Sequence, residues 1–346
     1  MDKLWFSSDY MEGAHPRLLQ RLTDTNLEQT PGYGRDEYCE SARSRIREAC
    51  ACPQAGVEFL VGGTQTNATL ISALLRPYQG VIAPFSGHIN DHEAGAIEQG
   101  GHKVLTLPHR SGKITAEQID ELCRAFPTDE PYSHAVIPGM VFLSQPTEYG
   151  TLYSLEELGR IREACLRHGL LLYVDGARLA YALCSPENDV TLADLARLAD
   201  AFYIGGTKCG CLMGEAAVLP NPSLLPHFFT IIKQHGALLA KGRLLGLQFD
   251  ELFRDGLYLQ LGRDAVAQAE RIQEAVLRGS GRLLERTHTN QVFLVLTNRQ
   301  ADALAERVAF SVRDPYDAEH SVVRLVTGWA TRPEDVDALC RLLEAF

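Results

Sequence analysis

Three short stretches of the chain carry residue types whose spacing could do chemistry. Tyr203-Ile204-Gly205-Gly206-Thr207-Lys208 places an amine just beyond an apolar run, on a glycine-rich loop. A lysine there is desolvated and loses its proton more readily, as lysines that form Schiff bases with carbonyl groups must. Gly-Gly-Thr-Lys lacks the G-x-x-x-x-G-K-[ST] frame, so a P-loop role is excluded. Val174-Asp175-Gly176-Ala177-Arg178 ends a second apolar run in a carboxylate. Burying that group is costly unless a cation or hydrogen-bond donor meets it. Two partners suit it: Arg178 in an internal ion pair, or a protonated pyridine nitrogen, which would turn a ring into an electron sink. Gly62-Gly63-Thr64-Gln65-Thr66-Asn67 follows the apolar run Val57–Val61 and opens a helical stretch. Free N–H groups at such a helix start favour an anion, although an ordinary turn also fits the pattern.

These residues need strands to present them. Short apolar runs alternating with amphipathic stretches predict an α/β domain with a mostly parallel sheet. The candidate strands are Val57–Val61, Val81–Pro84, Val104–Leu107, Met140–Ser144, Leu170–Asp175, Ala201–Ile204 and Ala216–Leu219. Ser154 and Glu157 form a capping-box pair, Leu155, Leu158, Ile161 and Cys165 line one helical face, and Gly169 supplies the exit. Asp175 then falls at the carboxyl end of a buried strand, where open α/β sheets hold ligands. Beyond about residue 250 the rhythm changes to a long helix near 262–277, strands Val292–Leu296 and Val322–Val326, and a closing helix, which reads as a smaller α+β unit. The expected organisation is an N-terminal segment (1–25) docking on the small unit, a large domain (26–250) and a small C-terminal domain (251–346). A chain of 346 residues accommodates two such domains.

The bulk composition narrows the function. A formal net charge of −11 repels nucleic acid and anionic membrane surfaces on average. No apolar run is long enough to span a bilayer, and the first residues lack the apolar core of a secretory signal. The nine cysteines are therefore expected to be free thiols in a cytoplasmic protein. The pairs Cys50/Cys52 and Cys209/Cys211 have no zinc-type spacing, and the sequon Asn67-Ala68-Thr69 is a chance match.

Taken in order, the three motifs make the chain resemble the threonine aldolase family, within the β-eliminating-lyase group of fold-type I pyridoxal-phosphate (PLP) enzymes. The resemblance runs from Ser8-Asp9 to Arg324-Leu325-Val326-Thr327. It implies a mostly parallel seven-stranded sheet flanked by helices, with a smaller α+β C-terminal domain. It also implies PLP as cofactor, an amino-acid substrate, and a homo-oligomer (dimer or tetramer) with shared sites. By this similarity Lys208 carries the cofactor and Asp175 meets its pyridine nitrogen. Gly63, Thr64 and Gln65, with Thr207 as a lesser contributor, hold the phosphate, and His88 stacks on the ring. Ser8, Arg178 and Arg324 grip the substrate carboxylate, a role suited to the planar guanidinium fork, and Arg178 also lies beside the cofactor. Tyr33 and Lys241 match residues that reach the neighbouring subunit's site. Glu148 stands where many relatives carry a histidine near the substrate hydroxyl. The implied reaction is retro-aldol cleavage of β-hydroxy-α-amino acids, with Glu148, His88 or a water as base. β-Elimination, racemisation and transamination use the same electron sink and stay open, as does a non-catalytic sensor or carrier. Plainer readings accompany several residues: a metal pair for His88 and His92 beside Glu93, an internal salt bridge for Arg324, surface charge for Lys241 and Arg243, and a turn position for Glu148.

Overall fold

A computed structural model describes residues 3–126, 134–279 and 281–345. After a short strand β1 (Leu4–Trp5), the large sheet is built from β2 (Gly56–Leu60), β3 (Gln79–Pro84), β4 (Val104–Leu107), β5 (Ile137–Ser144), β6 (Leu171–Asp175), β7 (Ala201–Gly205) and β8 (Glu215–Leu219). Their order across the sheet is β2-β8-β7-β6-β5-β3-β4. All pairings are parallel except those of β8, which runs antiparallel between β2 and β7. Every expected strand of this sheet is present, displaced by at most a few residues at its ends. The central strands are apolar along their whole length because helices cover both faces, and Met140, Val141, Phe142, Leu143, Leu172 and Tyr173 are fully buried.

Local signals act as expected in the crossover to β6. Ser154 Oγ accepts from the Glu157 N–H (3.1 Å), and the Glu157 carboxylate accepts from the Ser154 N–H (2.8 Å). The helix Leu155–His168 buries Leu158, Ile161, Ala164 and Cys165, and Gly169 ends it at φ 65°. The next strand delivers Asp175 beside Ser144, its register partner on β5. Glu215, at the start of the reversed β8, pairs with Gly205 at the end of β7 and Leu60 at the end of β2. One edge of the sheet therefore gathers Leu60, Glu215, Gly205, Asp175 and Ser144. Gly176 allows this convergence, since a Cβ there would lie 2.0 Å from the Tyr203 carbonyl oxygen.

The C-terminal part forms a four-stranded antiparallel sheet from β9 (Arg282–Glu285), β10 (Gln291–Thr297), β12 (Ser311–Pro315) and β13 (His320–Val326), in the order β12-β13-β10-β9. The helices Leu257–Arg278 and Pro333–Leu343 supply its apolar cover. The outer strands β9 and β12 escape the sequence pattern because they are short and partly polar. The N-terminal segment docks in two places. β1 pairs with β11 (Val308–Ala309) of the C-terminal part. The helix Pro16–Asp24 instead packs on the helix Arg243–Leu252 and sinks Leu18 into the main core. Among the described residues no helix is long and apolar enough to cross a membrane.

Candidate active site

A cavity of about 270 Å³ opens at the gathered strand ends, and both Lys208 and Asp175 line it. Burial, then the nearby Arg178 guanidinium, push the Lys208 ammonium toward its neutral form. Asp175 accepts hydrogen bonds from the Tyr203 hydroxyl (2.6 Å), the Asn67 amide (3.1 Å) and the Ala177 N–H (2.9 Å). Burial and the Asp175 charge hold the Tyr203 phenol far above its usual range, so it donates as a neutral hydroxyl. Asp175 is thus satisfied without Arg178, and the internal pair considered between them does not form. Arg178 makes a bidentate pair with Asp9 instead (2.7 and 3.0 Å), which also accepts from the Asn290 amide (2.8 Å). Burial alone would raise the Asp9 carboxyl, but Arg178 overrides it and holds the group below the usual range. Asp9→Ala would strand a buried guanidinium. The expected loss is about 3–5 kcal/mol in urea unfolding, and a loss near zero would mean that water replaces the pair.

The phosphate-sized end is built by the start of the helix Gly63–Leu74. Gly62 caps it with no side-chain bond, which leaves its first N–H groups to meet an anion, and Gly62, Gly63 and Thr64 line the cavity. A Cβ on Gly63 would sit 3.0 Å from the Tyr203 hydroxyl that holds Asp175. Thr207 lines the same space and accepts from the Gly214 N–H at 3.1 Å. The side-chain oxygen of Gln65 folds back to accept from the Val61 N–H at 3.1 Å, and the residue lies outside the cavity lining. Tyr33 and Lys241 are exposed and also lie outside it. They share one corner of the surface, where the Tyr33 N–H donates to the Ala240 carbonyl at 2.9 Å.

His88 begins the short helix His88–Asp91 at the cavity wall. Its Nδ1 lies 2.7 Å from Glu93, which also accepts from the Asn67 amide at 2.7 Å. Asn67 therefore links the partner of His88 to Asp175. With Nδ1 engaged by Glu93, and no metal-holding group of three or more His, Cys, Asp or Glu among the described residues, the metal reading of His88 and His92 gains no support. The backbone N–H of His88 donates to Glu148 Oε1 (3.0 Å), as does the Ser144 hydroxyl (2.6 Å). Glu148 is buried and its Oε2 has no hydrogen-bond partner among the described residues. Burial pushes its carboxyl up, and the Asp175 charge adds to the effect. It lines the cavity rather than a solvated turn.

An adjoining space of about 330 Å³ shares Tyr10, His88, Glu148, Arg178 and Lys208 with the first and adds Arg324 and Gln291. Arg324 donates to Ser311 (3.0 Å) and Gln291 (3.3 Å), and no carboxylate lies within ion-pair range of it among the described residues. Burial, then Arg178, push it down to about 10. Among the described residues the internal salt bridge considered for Arg324 does not form, and the guanidinium faces the cavity. Ser8 lines a separate groove with Leu4 and Gly328, whereas its neighbour Tyr10 lines the site. Sequence reasoning also passed over Asn67, Glu93 and Glu215. Glu215 carried the same signal as Asp175, a carboxylate at the edge of a buried apolar run. It accepts from the Gly206 N–H (3.0 Å), and burial pushes it up to about 8.

Comparisons with known proteins show what the chain is similar to. The family model described as Beta-eliminating lyase matches residues 6–299. The low specificity L-threonine aldolase of Pseudomonas aeruginosa is 31% identical over 309 residues, 87% of each chain. The solved threonine aldolase of Leishmania major superposes with a TM-score of 0.95 at 41% identity, covering 99% of this chain and 98% of that one. The K265A variant of serine palmitoyltransferase from S. paucimobilis, solved with a bound PLP–myriocin aldimine, shares the fold with a TM-score of 0.70 at 15% identity, over 99% of this chain and 87% of its own.

Proposed function

From a chain that belongs to the threonine aldolase family of β-eliminating lyases, with the fold-type I architecture, we propose a PLP-dependent aldehyde-lyase. Its substrates are β-hydroxy-α-amino acids of the threonine, allo-threonine or β-phenylserine type, and its products are glycine and an aldehyde. One observation carries this reading. A deprotonation-prone lysine and a triply hydrogen-bonded carboxylate line one cavity, and a carboxylate with one oxygen unpartnered among the described residues stands where that cavity meets an arginine-lined one.

The residues present fit PLP. Lys208 would hold its carbonyl carbon, Asp175 its protonated ring nitrogen, and the uncapped helix start at Gly62, Gly63 and Thr64, with Thr207, its phosphate. When bound, the cofactor supplies a ring that accepts the electron pair released as the Cα–Cβ bond breaks. Arg324, steadied by Ser311 and Gln291, binds the α-carboxylate of the substrate. Arg178 is committed to Asp9 and acts by ordering the N-terminal segment and by disfavouring the proton on Lys208. Glu148, oriented by the His88 N–H and by Ser144, takes the β-hydroxyl proton in its ionised form. Glu93 fixes the His88 ring at the cavity wall. In this reading residues 26–250 hold the cofactor, and residues 251–346 bring Arg324 to it.

The exposed corner carrying Tyr33 and Lys241, apart from its own chain's cavity, supports a dimer or tetramer whose subunits complete each other's sites. Light scattering of the purified protein is expected to give at least the dimer mass. Nine cysteines without a disulfide suit a reducing compartment such as the cytoplasm. The test of function is incubation with L-threonine, L-allo-threonine and β-phenylserine, assayed for glycine and aldehyde. No glycine from any of them would overturn the lyase reading. A keto acid with ammonia, an inverted amino acid or cofactor left in the pyridoxamine form would assign a different reaction to the same site.

A further inference from the structure

Asp175, Glu148 and Glu215 all line the cofactor cavity, and the retro-aldol step uses the first two but not Glu215. Topology explains its place. β8 runs against its neighbours, so it begins at the edge where the parallel strands end, and its first residue, Glu215, enters the cavity while only 4% exposed. On one side its register partner is Leu60, two residues before the helix cap Gly62. On the other its Oε2 accepts from the Gly206 N–H at 3.0 Å, next to Thr207. The carboxylate thus lies between the two segments that would hold the phosphate.

A main-chain N–H does not require a carboxylate, since an amide oxygen would meet it with a smaller desolvation cost. A buried carboxylate beside an anion is disfavoured twice, by lost water and by like charge, and a proton removes both costs. Burial, then the Thr207 hydroxyl, the Gly206 N–H and Lys208 in the opposite sense, and Asp175, act on Glu215 and leave it raised to about 8. A phosphate in the same cavity of about 270 Å³ would raise it further. Other groups around it are silent near neutrality. Tyr173 of β6, Tyr203 of β7, Cys209 and Cys211 of the following loop and Tyr258 of the helix Leu257–Arg278 are all pushed upward by burial. Charge acting on Glu215 therefore comes from Lys208 and Asp175.

Resting on the reading of this cavity as a PLP site, we propose that Glu215 is a positioning residue that holds Gly206 and Thr207 for the phosphate and takes up one proton as the phosphate enters. The neutral acid keeps its bond from Gly206 and withdraws a negative charge from beside the anion. Cofactor binding and proton binding are then one event. The proton comes from solvent, and no bond in the ligand changes. Above about 8 that proton is drawn from an ever more dilute supply, so affinity for a phosphate ester falls as pH rises.

The test titrates the full chain, freed of cofactor, with pyridoxamine 5′-phosphate, which has no carbonyl to react with Lys208, between about pH 6.5 and 9.5. Glutamine stands in for the protonated acid, so E215Q is the reference. Relative to E215Q, wild-type affinity is expected to be level below about 8 and to fall about tenfold for each pH unit above it. Calorimetry in buffers of different ionisation heat is expected to count about one more proton taken up per ligand by the wild type than by E215Q near pH 9. K208A and E148Q, which remove the cavity's other displaced groups, should keep the fall. In K208A it should move to higher pH, because Lys208 holds the Glu215 value down. A fall that E215Q shares, or that vanishes in K208A or E148Q, assigns the proton to another group and overturns the proposal. If E215Q does not fold, inorganic phosphate, which has no ring to titrate, is run on the K208A/E148Q double variant: proton uptake there supports the proposal, and none overturns it. Binding without pH dependence overturns it and leaves the PLP reading in place, whereas binding at no pH overturns both. None of these readouts involves turnover, so a failed lyase assay leaves them intact.

Discussion

Substituting Lys208 with alanine is expected to lower glycine release by about four orders of magnitude or more, the scale seen when a covalent catalytic partner is removed. The absorbance of the bound cofactor is expected to change at the same time, because its carbonyl is no longer tied to Nζ. The fold should survive. The loop around Lys208 is held by backbone bonds that alanine preserves: the Tyr181 hydroxyl donates to the Lys208 carbonyl (2.5 Å), and the Gly206 N–H to the Gly214 carbonyl (3.0 Å). The lost amine is one that burial already disfavours in its charged form, so its removal costs little stability. A thermal midpoint close to that of the wild type, together with lost activity, would separate a chemical role from a structural one. Activity within tenfold of the wild type would refute the role assigned to this lysine.

Glu148→Gln is expected to cost about 10²–10⁴ in kcat, the usual worth of a positioned base, while the cofactor spectrum stays intact. Glutamine can still accept from Ser144 and the His88 N–H, so the geometry is kept and only the proton acceptor is lost. The pH dependence gives a second readout. Burial raises the folded-state pKa of Glu148, so its base form fills in only as pH climbs past that raised value. Wild-type kcat/KM should therefore rise with pH along an acid limb lying above the ordinary carboxylate range, and Glu148→Gln should lack that limb. Stability runs the other way. Because the folded state binds this proton more tightly than the unfolded chain does, the contribution of Glu148 is present below its unfolded pKa and declines as pH rises toward the folded one. An unchanged acid limb in the glutamine variant would move the base role to another group.

Much of this molecule was legible from local pattern. Runs such as Leu171–Asp175 and Ala201–Gly205 are apolar throughout because both faces of the sheet are covered, and their ends place Asp175 and Lys208 at one edge. Strand identity, crossover caps and the placing of a lysine just beyond a strand depend on neighbours a few residues away. For that reason a single chain read in order reveals them.

Pairings between distant segments are a different matter. Asp9 and Arg178 lie 169 residues apart, and nothing near either one announces that they form a bidentate pair. Asn67 became the link between Asp175 and Glu93 only when the helix after β2 was laid against the end of β6. Ser8 turned into a neighbouring groove while Tyr10 entered the site, because the docking of β1 on β11 sets the path of that segment. In sequence Glu148 stands either near the substrate hydroxyl, by the resemblance, or as a plain turn residue, and nothing local separates the two. The register of β5 against β6 set it inside the site, and burial there raised its pKa even though the His88 N–H and Ser144 bonds pull the other way. Amino-acid order alone thus determined which groups stand at strand ends, since periodicity and capping are short-range effects. Tertiary structure alone decided which charges are spent on one another and which face the cavity, since desolvation and hydrogen bonding depend on what packing brings together.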